Sequence, residues 1–198
     1  MRLGVLGGTF DPVHYAHLRL AERAREAQQL SLDRVLFVPA GRPWRKSDRV
    51  VSEGRHRAAM LQLAVGDNAL FEVSTLELER AGPSYTVDTL EDLHELHPDS
   101  ELFLIMGEDA LADLANWREP ERIMDLATLA VASRGGKDIA AAGQVLPHFL
   151  ERVVWIEMEA LEISASRIRE NVRMGASIRY LVPDAVLEYI REQALYHS

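Results

Sequence analysis

With 198 residues and 47% hydrophobic side chains, the chain is long and apolar enough to bury a core, which argues against intrinsic disorder. It contains no cysteine, which excludes disulfides, thiolate metal sites and cysteine nucleophiles and leads us to expect a reducing, cytoplasmic setting. The net charge of −9 argues against a nucleic-acid partner, and the apolar runs are too short for a signal peptide or a membrane span.

Apolar runs rich in Val, Leu and Ile alternate along the chain with longer amphipathic stretches. The runs predict strands at 3–6, 34–39, 71–74, 102–107, 128–133 and 153–158. The amphipathic stretches predict helices at 15–30, 53–66, 86–97, 108–126 with a break near 119–120, 139–150, 166–174 and 183–195. Repeated strand–helix units predict an α/β fold, a doubly wound parallel sheet covered on both faces. No linker is evident, so we expect one domain over 1–198 with a small C-terminal helical part from about residue 164.

The stretch GGTFDPVHYAH at 7–17 directly follows the first predicted strand. Ligands of an open parallel sheet bind beyond the carboxyl ends of the strands, so this stretch is placed to hold one. Gly7 and Gly8 are expected where the backbone turns sharply, and they let backbone N–H groups approach a ligand closely. We expect Phe10 to pack beneath the turn. The sequence has neither a G-x-G-x-x-G pattern after this strand nor a P-loop, which disfavours the two standard phosphate sites.

His14 and His17 are three residues apart at the start of a predicted helix, so their side chains point to the same side near the positive end of the helix dipole. Imidazoles in that place can donate hydrogen bonds to phosphate oxygens and stabilise charge that builds during transfer. A metal site is a second interpretation, although two histidines without a third ligand make a poor zinc set. A third is purely structural, with the histidines capping the helix or packing under a loop.

Two further stretches place cationic groups after predicted strands. SASRIR at 164–169 opens a helix, where hydroxyls, N–H groups and Arg169 can form a second anion site, whereas Ser164 or Ser166 can also be simple N-caps. The loop PAGRPWRK at 39–46 can bring Lys46 to a polyphosphate. Residues 42–57 hold six basic and two acidic side chains, a local charge of +4 that suits either a small polyanion or a solvated face.

Two stretches supply candidates for the recognition of a base or an acceptor. GED at 107–109 ends the fourth predicted strand, and Trp117 with Arg118 follows in the next segment. Trp117 can stack on a heteroaromatic ring or pack in the core. The helix that begins after PSY at 83–85 can bind a carboxylate or amide through its N–H groups, while Ser84 or Thr86 can equally be a cap.

Six stretches together resemble the HxGH-type nucleotidyltransferases, and most closely the bacterial nicotinate-nucleotide adenylyltransferase family. They occur in the family's order over nearly the whole chain: GGTFDPVHYAH at 7–17, PAGRPWRK at 39–46, GPSYTVDTL at 82–90, MGEDALADLANW at 106–117, ASRGG at 132–136 and ISASRIRENVRMGASIRYLVPDAVLEYI at 163–190. The chain departs from the family pattern at Ala16, where the family has Gly, at 43–46 and at 164–166.

The resemblance implies a Rossmann-like fold and adenylyl transfer from ATP to nicotinate mononucleotide, giving nicotinate adenine dinucleotide and pyrophosphate on the route to NAD. It implies Mg²⁺ bound mainly through the ATP phosphates, with no protein metal site. It assigns catalysis to His14, His17, Lys46 and Arg169. It assigns ATP binding to Gly7, Gly8, Thr9, Phe10, Gly107, Asp109 and Ser166, and nicotinate mononucleotide binding to Thr86, Trp117, Arg118 and Arg134.

Alternative functions stay open at this stage. Nicotinamide mononucleotide or phosphopantetheine can replace the nicotinate acceptor, since a difference of one charge is not readable from the sequence. Another alternative is not an enzyme at all but a catalytically silent nucleotide-binding module. The evidence against it is that the candidate catalytic residues are intact: His14, His17, Lys46 and Arg169. Assembly into homo-oligomers is likewise not decided by the sequence.

Overall fold

The computed structural model describes residues 1–42, 51–133 and 147–197. Within these ranges the strands form one parallel sheet in the order β3-β2-β1-β4-β5-β6. The strands are β1 Arg2–Gly8, β2 Arg34–Pro39, β3 Phe71–Val73, β4 Glu101–Gly107, β5 Thr128–Ser133 and β6 Val153–Glu157. The chain winds outward from β1 in one direction and from β4 in the other, which is the doubly wound order. The predicted fold class, a Rossmann-like α/β sheet, is confirmed.

The described helices lie close to their predicted positions. They are α1 Tyr15–Glu26, α2 Gly54–Val65, α3 Leu76–Glu79, α4 Thr86–Leu96, α5 Glu108–Asp113, α6 Pro120–Leu126, α7 Pro147–Leu150, α8 Ala165–Arg173 and α9 Asp184–Glu192, with a 3-10 helix at Leu114–Asn116. The short α3 was not predicted, and of the helix predicted at 139–150 only residues 147–150 lie in the described part.

One predicted helix ends earlier than its apolar pattern suggested, and another is interrupted where a break was predicted. Helix α1 stops at Glu26 because Ala27 takes an extended conformation, and Ser31 then turns the chain with a positive φ of 45°. The helix predicted at 108–126 is interrupted over 117–119, where Glu119 has a φ of 50° and Pro120 starts α6. Proline fits the first turn of a helix, where its missing N–H leaves no bond unmade, so the new helix starts there.

The two faces of the sheet bury separate apolar cores because neighbouring residues of a strand point to opposite sides. Leu6 of β1 joins Phe103 and Ile105 of β4 in one core, beneath α1, α2 and the C-terminal helices. The alternate positions Leu3 and Val5 lie in the other core, under α4, α5 and α6. Both faces of the parallel sheet are therefore covered, as such sheets require.

The C-terminal helices share the first of these cores. Ile168 of α8 and Val186 and Ile190 of α9 are buried in the cluster that contains Leu6 and Val13. The loop after β1 is thus enclosed between the sheet and the C-terminal part of the chain. In the part of the chain that the structure describes, no helix is long and apolar enough to cross a membrane.

Candidate active site

The glycine pair before the loop has a different place from the one predicted. Gly7 and Gly8 are the last residues of β1, paired with Val38 and Pro39 of β2, and do not form the turn themselves. A Cβ on Gly8 would come within 3.0 Å of the Phe10 ring, whereas one on Gly7 would meet nothing within 4 Å. Gly8 is therefore needed for close packing of Phe10, and Gly7 offers an open approach to the backbone.

Phe10 lies under the loop, as predicted, and supports the histidines. It is 2% exposed, and its ring meets the His17 ring edge-on with centroids 5.0 Å apart. Its own φ of 50° turns the chain back over the ring. Because the ring is covered, the predicted contact of Phe10 with ATP is left to its backbone.

His14 and His17 stack on one another at the first turn of α1. Their rings are 3.7 Å apart between centroids and 20° from parallel. The backbone N–H of His14, the N-cap, donates to Nδ1 of His17 at 3.3 Å. Since Nδ1 accepts this bond, the proton of a neutral His17 imidazole is on Nε2. The Nε2–H group can therefore donate a hydrogen bond to a ligand.

His14 is more deeply buried than its partner and lacks a hydrogen bond at one nitrogen. It is 5% exposed, and its Nδ1 is one of two buried side-chain atoms in the described ranges that have no hydrogen-bond partner. Burial lowers the pKa of His14 to about 4, because the charged imidazolium would lose its hydration. A buried polar atom left unpaired is costly, so this nitrogen is suited to form a hydrogen bond with a ligand or a water.

A cleft of about 250 Å³ brings the histidines together with the ends of β4, β5 and β6. Of the predicted site residues, His14, His17, Gly107 and Asp109 line it. Glu108 lines it as well, and its Oε1 is the second buried atom without a partner among the described residues. Both residues that carry an unpaired buried atom therefore line one cleft, which marks it as a candidate site for a polar ligand. Ala16, at one of the departures from the family pattern, also lies in its wall.

A larger cavity elsewhere contains none of the predicted site residues. It measures about 890 Å³ and lies between α1 and the segment before β3. Its charged lining residues are Arg19, Glu22, Asp67 and Glu159. We assign the site to the smaller cleft, because it holds the histidine pair at the first turn of α1 and lies at the carboxyl ends of the strands, where parallel sheets bind their ligands.

Helix α8 brings Arg169 to the loop that carries the histidines. The Nη1 of Arg169 donates to the backbone carbonyl of Asp11 at 2.6 Å. At the start of α8, Ser164 is the N-cap and accepts the N–H of Arg167 at 3.3 Å. Ser166 is exposed and takes no part in this cap, so of the two serines only Ser164 has the capping role.

The residues predicted for the acceptor lie around the start of α4. Arg118 rests on the Tyr85 ring at 4.9 Å and approaches Asp88 of α4 at 3.5 Å. The indole N–H of the half-buried Trp117 donates to Asp113 at 3.0 Å. Thr86 is the first residue of α4 and is not its cap. This second group does not line the histidine cleft, and no contact in the structure tests its proposed role.

The basic stretch at 42–57 is only in part a solvent-facing patch. Arg57 is 2% exposed and donates to three backbone carbonyls, those of Ser52 at 2.9 Å, Thr9 at 3.0 Å and Gly41 at 3.3 Å. Neither interpretation of the basic stretch, a polyanion site or a solvated face, applies to Arg57, because its guanidinium is hydrogen-bonded within the protein. Lys46 and Arg134 lie outside the described residues.

Ser84 has a role that neither of its sequence interpretations anticipated. It is buried, and its hydroxyl accepts the backbone N–H groups of Gly41 at 3.1 Å and Arg42 at 3.2 Å. The nearby Glu77 is buried too, which raises the pKa of its carboxyl. These side chains fix the backbone where the chain leaves β2.

Four residues with a place at the site were missed by the sequence analysis as contributors: Asp11, Arg57, Glu108 and Tyr196. Asp11 and Glu108 stand inside recognised motifs, so their position was a usable signal. Nothing in the sequence connects Arg57 or Tyr196 with residues more than 40 positions away, as the bonds to Thr9 and Asp11 do.

Comparison with known proteins places the chain in a family. Residues 5–171 match the cytidylyltransferase-like family model. A probable nicotinate-nucleotide adenylyltransferase of Roseiflexus sp. (strain RS-1) is 48% identical over 98% of this chain and 97% of its own length. Another, from Corynebacterium kroppenstedtii, is 45% identical over 98% of this chain and 90% of its own.

A solved structure shares the fold at lower identity. The Plasmodium falciparum nicotinic acid mononucleotide adenylyltransferase complexed with NaAD superposes with a TM-score of 0.80 at 21% identity, over 99% of this chain and 97% of that one. This likeness shows the shared fold. The sequence matches over nearly the full length establish that the chain belongs to the cytidylyltransferase-like family and, within it, to the nicotinate-nucleotide adenylyltransferases.

Proposed function

We propose that the protein transfers the adenylyl group of ATP to nicotinate mononucleotide, giving nicotinate adenine dinucleotide and pyrophosphate for NAD biosynthesis. The observation that carries this proposal is the stacked His14–His17 pair at the first turn of α1, in a cleft at the carboxyl ends of β4, β5 and β6. Its unpaired polar atoms and its helix N-terminus suit a phosphate chain. Relatives at 45% to 48% identity bear the name of this enzyme. The cysteine-free composition suits the cytoplasm, where we place the reaction.

The reaction requires positioning more than proton transfer. An oxygen of the acceptor's 5′-phosphate attacks the α-phosphorus of ATP in line, a new P–O bond forms, and the bond to the β-phosphate oxygen breaks, so that pyrophosphate leaves. The attacking phosphate is already ionised at neutral pH and needs no strong base. Catalysis then consists of holding two anions together and neutralising the charge of the transition state.

Each catalytic group has a role that fits its placement. His17 donates a hydrogen bond from its Nε2–H to the phosphoryl group in transfer, since its Nδ1 accepts the backbone N–H of His14. His14 contacts the phosphates through the nitrogen that has no partner inside the protein. Arg169 keeps further N–H donors for the phosphates beyond the one given to Asp11, and Ser166 adds its hydroxyl. Lys46 supplies a further charge.

The remaining proposed residues recognise the nucleosides. We assign ATP contacts to Gly7, Gly8 and Thr9 at the end of β1, and to Gly107 and Asp109 beside the cleft. We assign the acceptor to the group of Thr86, Trp117 and Arg118, together with Arg134. Glu108 joins the ATP side, because its buried oxygen can accept a hydrogen bond from a ribose hydroxyl or an amino group.

Mg²⁺ fits this site as an ion bound to the phosphates of ATP. In the described ranges no three His, Asp or Glu side chains come together as a metal site. Mg²⁺ keeps several waters and is commonly bound through substrate phosphates, so the ligand set required of the protein is small. When bound, the ion neutralises charge on the phosphates that leave. The protein's part is to bind the remaining phosphate oxygens through His14, His17 and Arg169.

The first test is pyrophosphate release that depends on Mg²⁺ and ATP, run in parallel with nicotinate mononucleotide, nicotinamide mononucleotide and phosphopantetheine. We expect nicotinate mononucleotide to give a kcat/KM at least about tenfold above the others, a margin within reach of one polar recognition site. A higher value for another acceptor would replace the substrate assignment. ATP binding without release for any acceptor would show a silent nucleotide-binding module instead.

The same assay on His17→Ala connects the activity with this cleft. Loss of one transition-state donor costs about 10² or more in kcat. The matched control is His94→Ala, which removes an exposed imidazole from α4, away from the cleft. A folded His17→Ala protein with near-normal kcat would remove His17 from the mechanism.

A further inference from the structure

The carboxylate of Asp11 is a buried junction between three parts of the chain. Asp11 is 3% exposed and lies in the loop between β1 and His14. Its Oδ2 accepts the backbone N–H of Ser52 at 3.2 Å, and its Oδ1 accepts the Tyr196 hydroxyl at 2.7 Å. Its main-chain carbonyl accepts the bond from Arg169. The loop that carries the histidines is therefore fastened from the start of α2, from α8 and from the C-terminal tail.

The backbone conformation of the C-terminal tail places the Tyr196 hydroxyl next to Asp11. After α9 ends, Ala194 and Tyr196 have φ values of 47° and 69°, in the left-handed region that is unfavourable for residues other than glycine. Such conformations persist when surrounding contacts determine them. Here the Tyr196 ring packs against the core beneath the sheet and its hydroxyl reaches Asp11. Burial and the Asp11 carboxylate raise the pKa of Tyr196, so the hydroxyl stays protonated and donates.

We propose that Tyr196 is a positioning residue of the adenylyl-transfer site: its hydroxyl holds the Asp11 carboxylate and thereby fixes the loop from which His14 and His17 project. The inference rests on the proposed function for its kinetic test. It adds to that function a residue of the C-terminal tail that acts through Asp11 and not through a contact of its own with the substrate. A displacement of about 1 Å at a reacting group can cost about 10² in rate, so the loss of one such fastening has a measurable effect.

The test compares Tyr196→Phe with Tyr189→Phe. Both changes remove one hydroxyl from the C-terminal part and keep the ring. The Tyr189 hydroxyl is bonded to His56 of α2 at 2.9 Å, so the control breaks an equivalent tie to α2 that does not involve Asp11. We expect Tyr196→Phe to lower kcat by about tenfold with a smaller change in the KM for ATP, and Tyr189→Phe to change kcat by less than about twofold.

A double-mutant cycle separates positioning from simple destabilisation. If Tyr196 acts through Asp11, adding Tyr196→Phe to Asp11→Asn lowers kcat by less than about threefold further, because the two side chains are coupled. Effects that multiply fully in the double variant would overturn the proposal. So would a Tyr196→Phe enzyme with a kcat within about twofold of the unmodified protein.

The imidazole NMR signals of His14 and His17 give a readout that does not depend on activity. We expect Tyr196→Phe to shift them and Tyr189→Phe to leave them in place. Shifts in the absence of any pyrophosphate release by the unmodified protein would support the positioning role and reject the proposed function. Unchanged signals in Tyr196→Phe would overturn the positioning role alone.

Discussion

His14 shows how burial sets the state of a residue that composition leaves undecided. An exposed histidine has a pKa of about 6.5 and changes its charge close to neutral pH. In this fold, burial lowers the pKa of His14 to about 4, so the ring is neutral over the range in which cytoplasmic enzymes work. A neutral imidazole enters the phosphate site without the cost of a buried charge, and phosphate oxygens then favour its protonation.

The shift of the His14 pKa predicts a dependence of stability on pH. Between about pH 4 and 6.5 the unfolded chain binds a proton at this residue that the folded chain does not, so the free energy of unfolding falls as the pH is lowered. From pH 7.5 to 5.0, His14 alone lowers the free energy of unfolding by about 2 kcal/mol. Urea unfolding at both pH values measures how much the free energy of unfolding falls from pH 7.5 to 5.0. We expect this fall to be smaller in His14→Asn than in the unmodified protein, by about 2 kcal/mol.

All other titrating groups are common to both proteins, so the difference between their pH slopes isolates His14. His97→Asn is a matched control, since it removes a histidine at the end of α4 for which no such burial is found. Equal pH slopes for His14→Asn and the unmodified protein would show that this imidazole is not desolvated in solution.

At the scale of the element, the first turn of α8 contains two serines with different roles. Ser164 caps the helix by accepting the N–H of Arg167, whereas Ser166 is exposed one turn before Arg169. An N-cap hydroxyl satisfies a helix N–H that has no partner within the helix, and its removal typically costs about 1 kcal/mol. A hydroxyl that serves only a ligand contributes little to the folded state.

Alanine substitution should therefore separate the two serines. We expect Ser164→Ala to lower the free energy of unfolding by about 1 kcal/mol. Ser166→Ala should leave stability within about 0.5 kcal/mol and raise the KM for ATP. Each variant is the control for the other, with urea unfolding and steady-state kinetics as the two measurements. A stability loss in Ser166→Ala equal to that in Ser164→Ala would give both serines a structural role.

Elements were predictable here because periodicity is a local property. The predicted bounds of β2 and β5 agree with the structure, since both are apolar runs buried on two faces. The break predicted near 119–120 is confirmed, because Pro120 marks the start of a new helix in the sequence itself. The His14–His17 pair could be recognised from its spacing, which a helix turns into adjacency.

The contacts that were not predictable are long-range ones between residue types with common alternatives. Arg57 stands in a basic stretch, and charge alone could not distinguish it from its exposed neighbour Arg55. Tyr196 looks like any aromatic residue near a chain end until the fold brings it to Asp11. Burial and partners at such positions are decided by the packing of the whole chain.

At the scale of the whole molecule, Arg57 joins three segments that the sheet brings to one edge. Its guanidinium binds the carbonyls of Thr9 after β1, Gly41 after β2 and Ser52 before α2. Hydrogen bonds to a charged group are about twice as strong as neutral ones, and these are shielded from water. The carbonyls would lose their partner together if the side chain were shortened, and buried acceptors without partners are costly.

We therefore expect Arg57→Gln to lower the free energy of unfolding by about 3 kcal/mol, since a glutamine amide cannot reach three carbonyls at once. The matched control is Arg55→Gln in the same helix, whose guanidinium is 73% exposed and paired with Glu53 at 2.9 Å. Exposed ion pairs contribute little, so this change should stay within about 0.5 kcal/mol. Urea unfolding of both variants decides the matter. A loss below about 1 kcal/mol for Arg57→Gln would mean that water replaces the guanidinium at these carbonyls, and that the three segments hold their places without it.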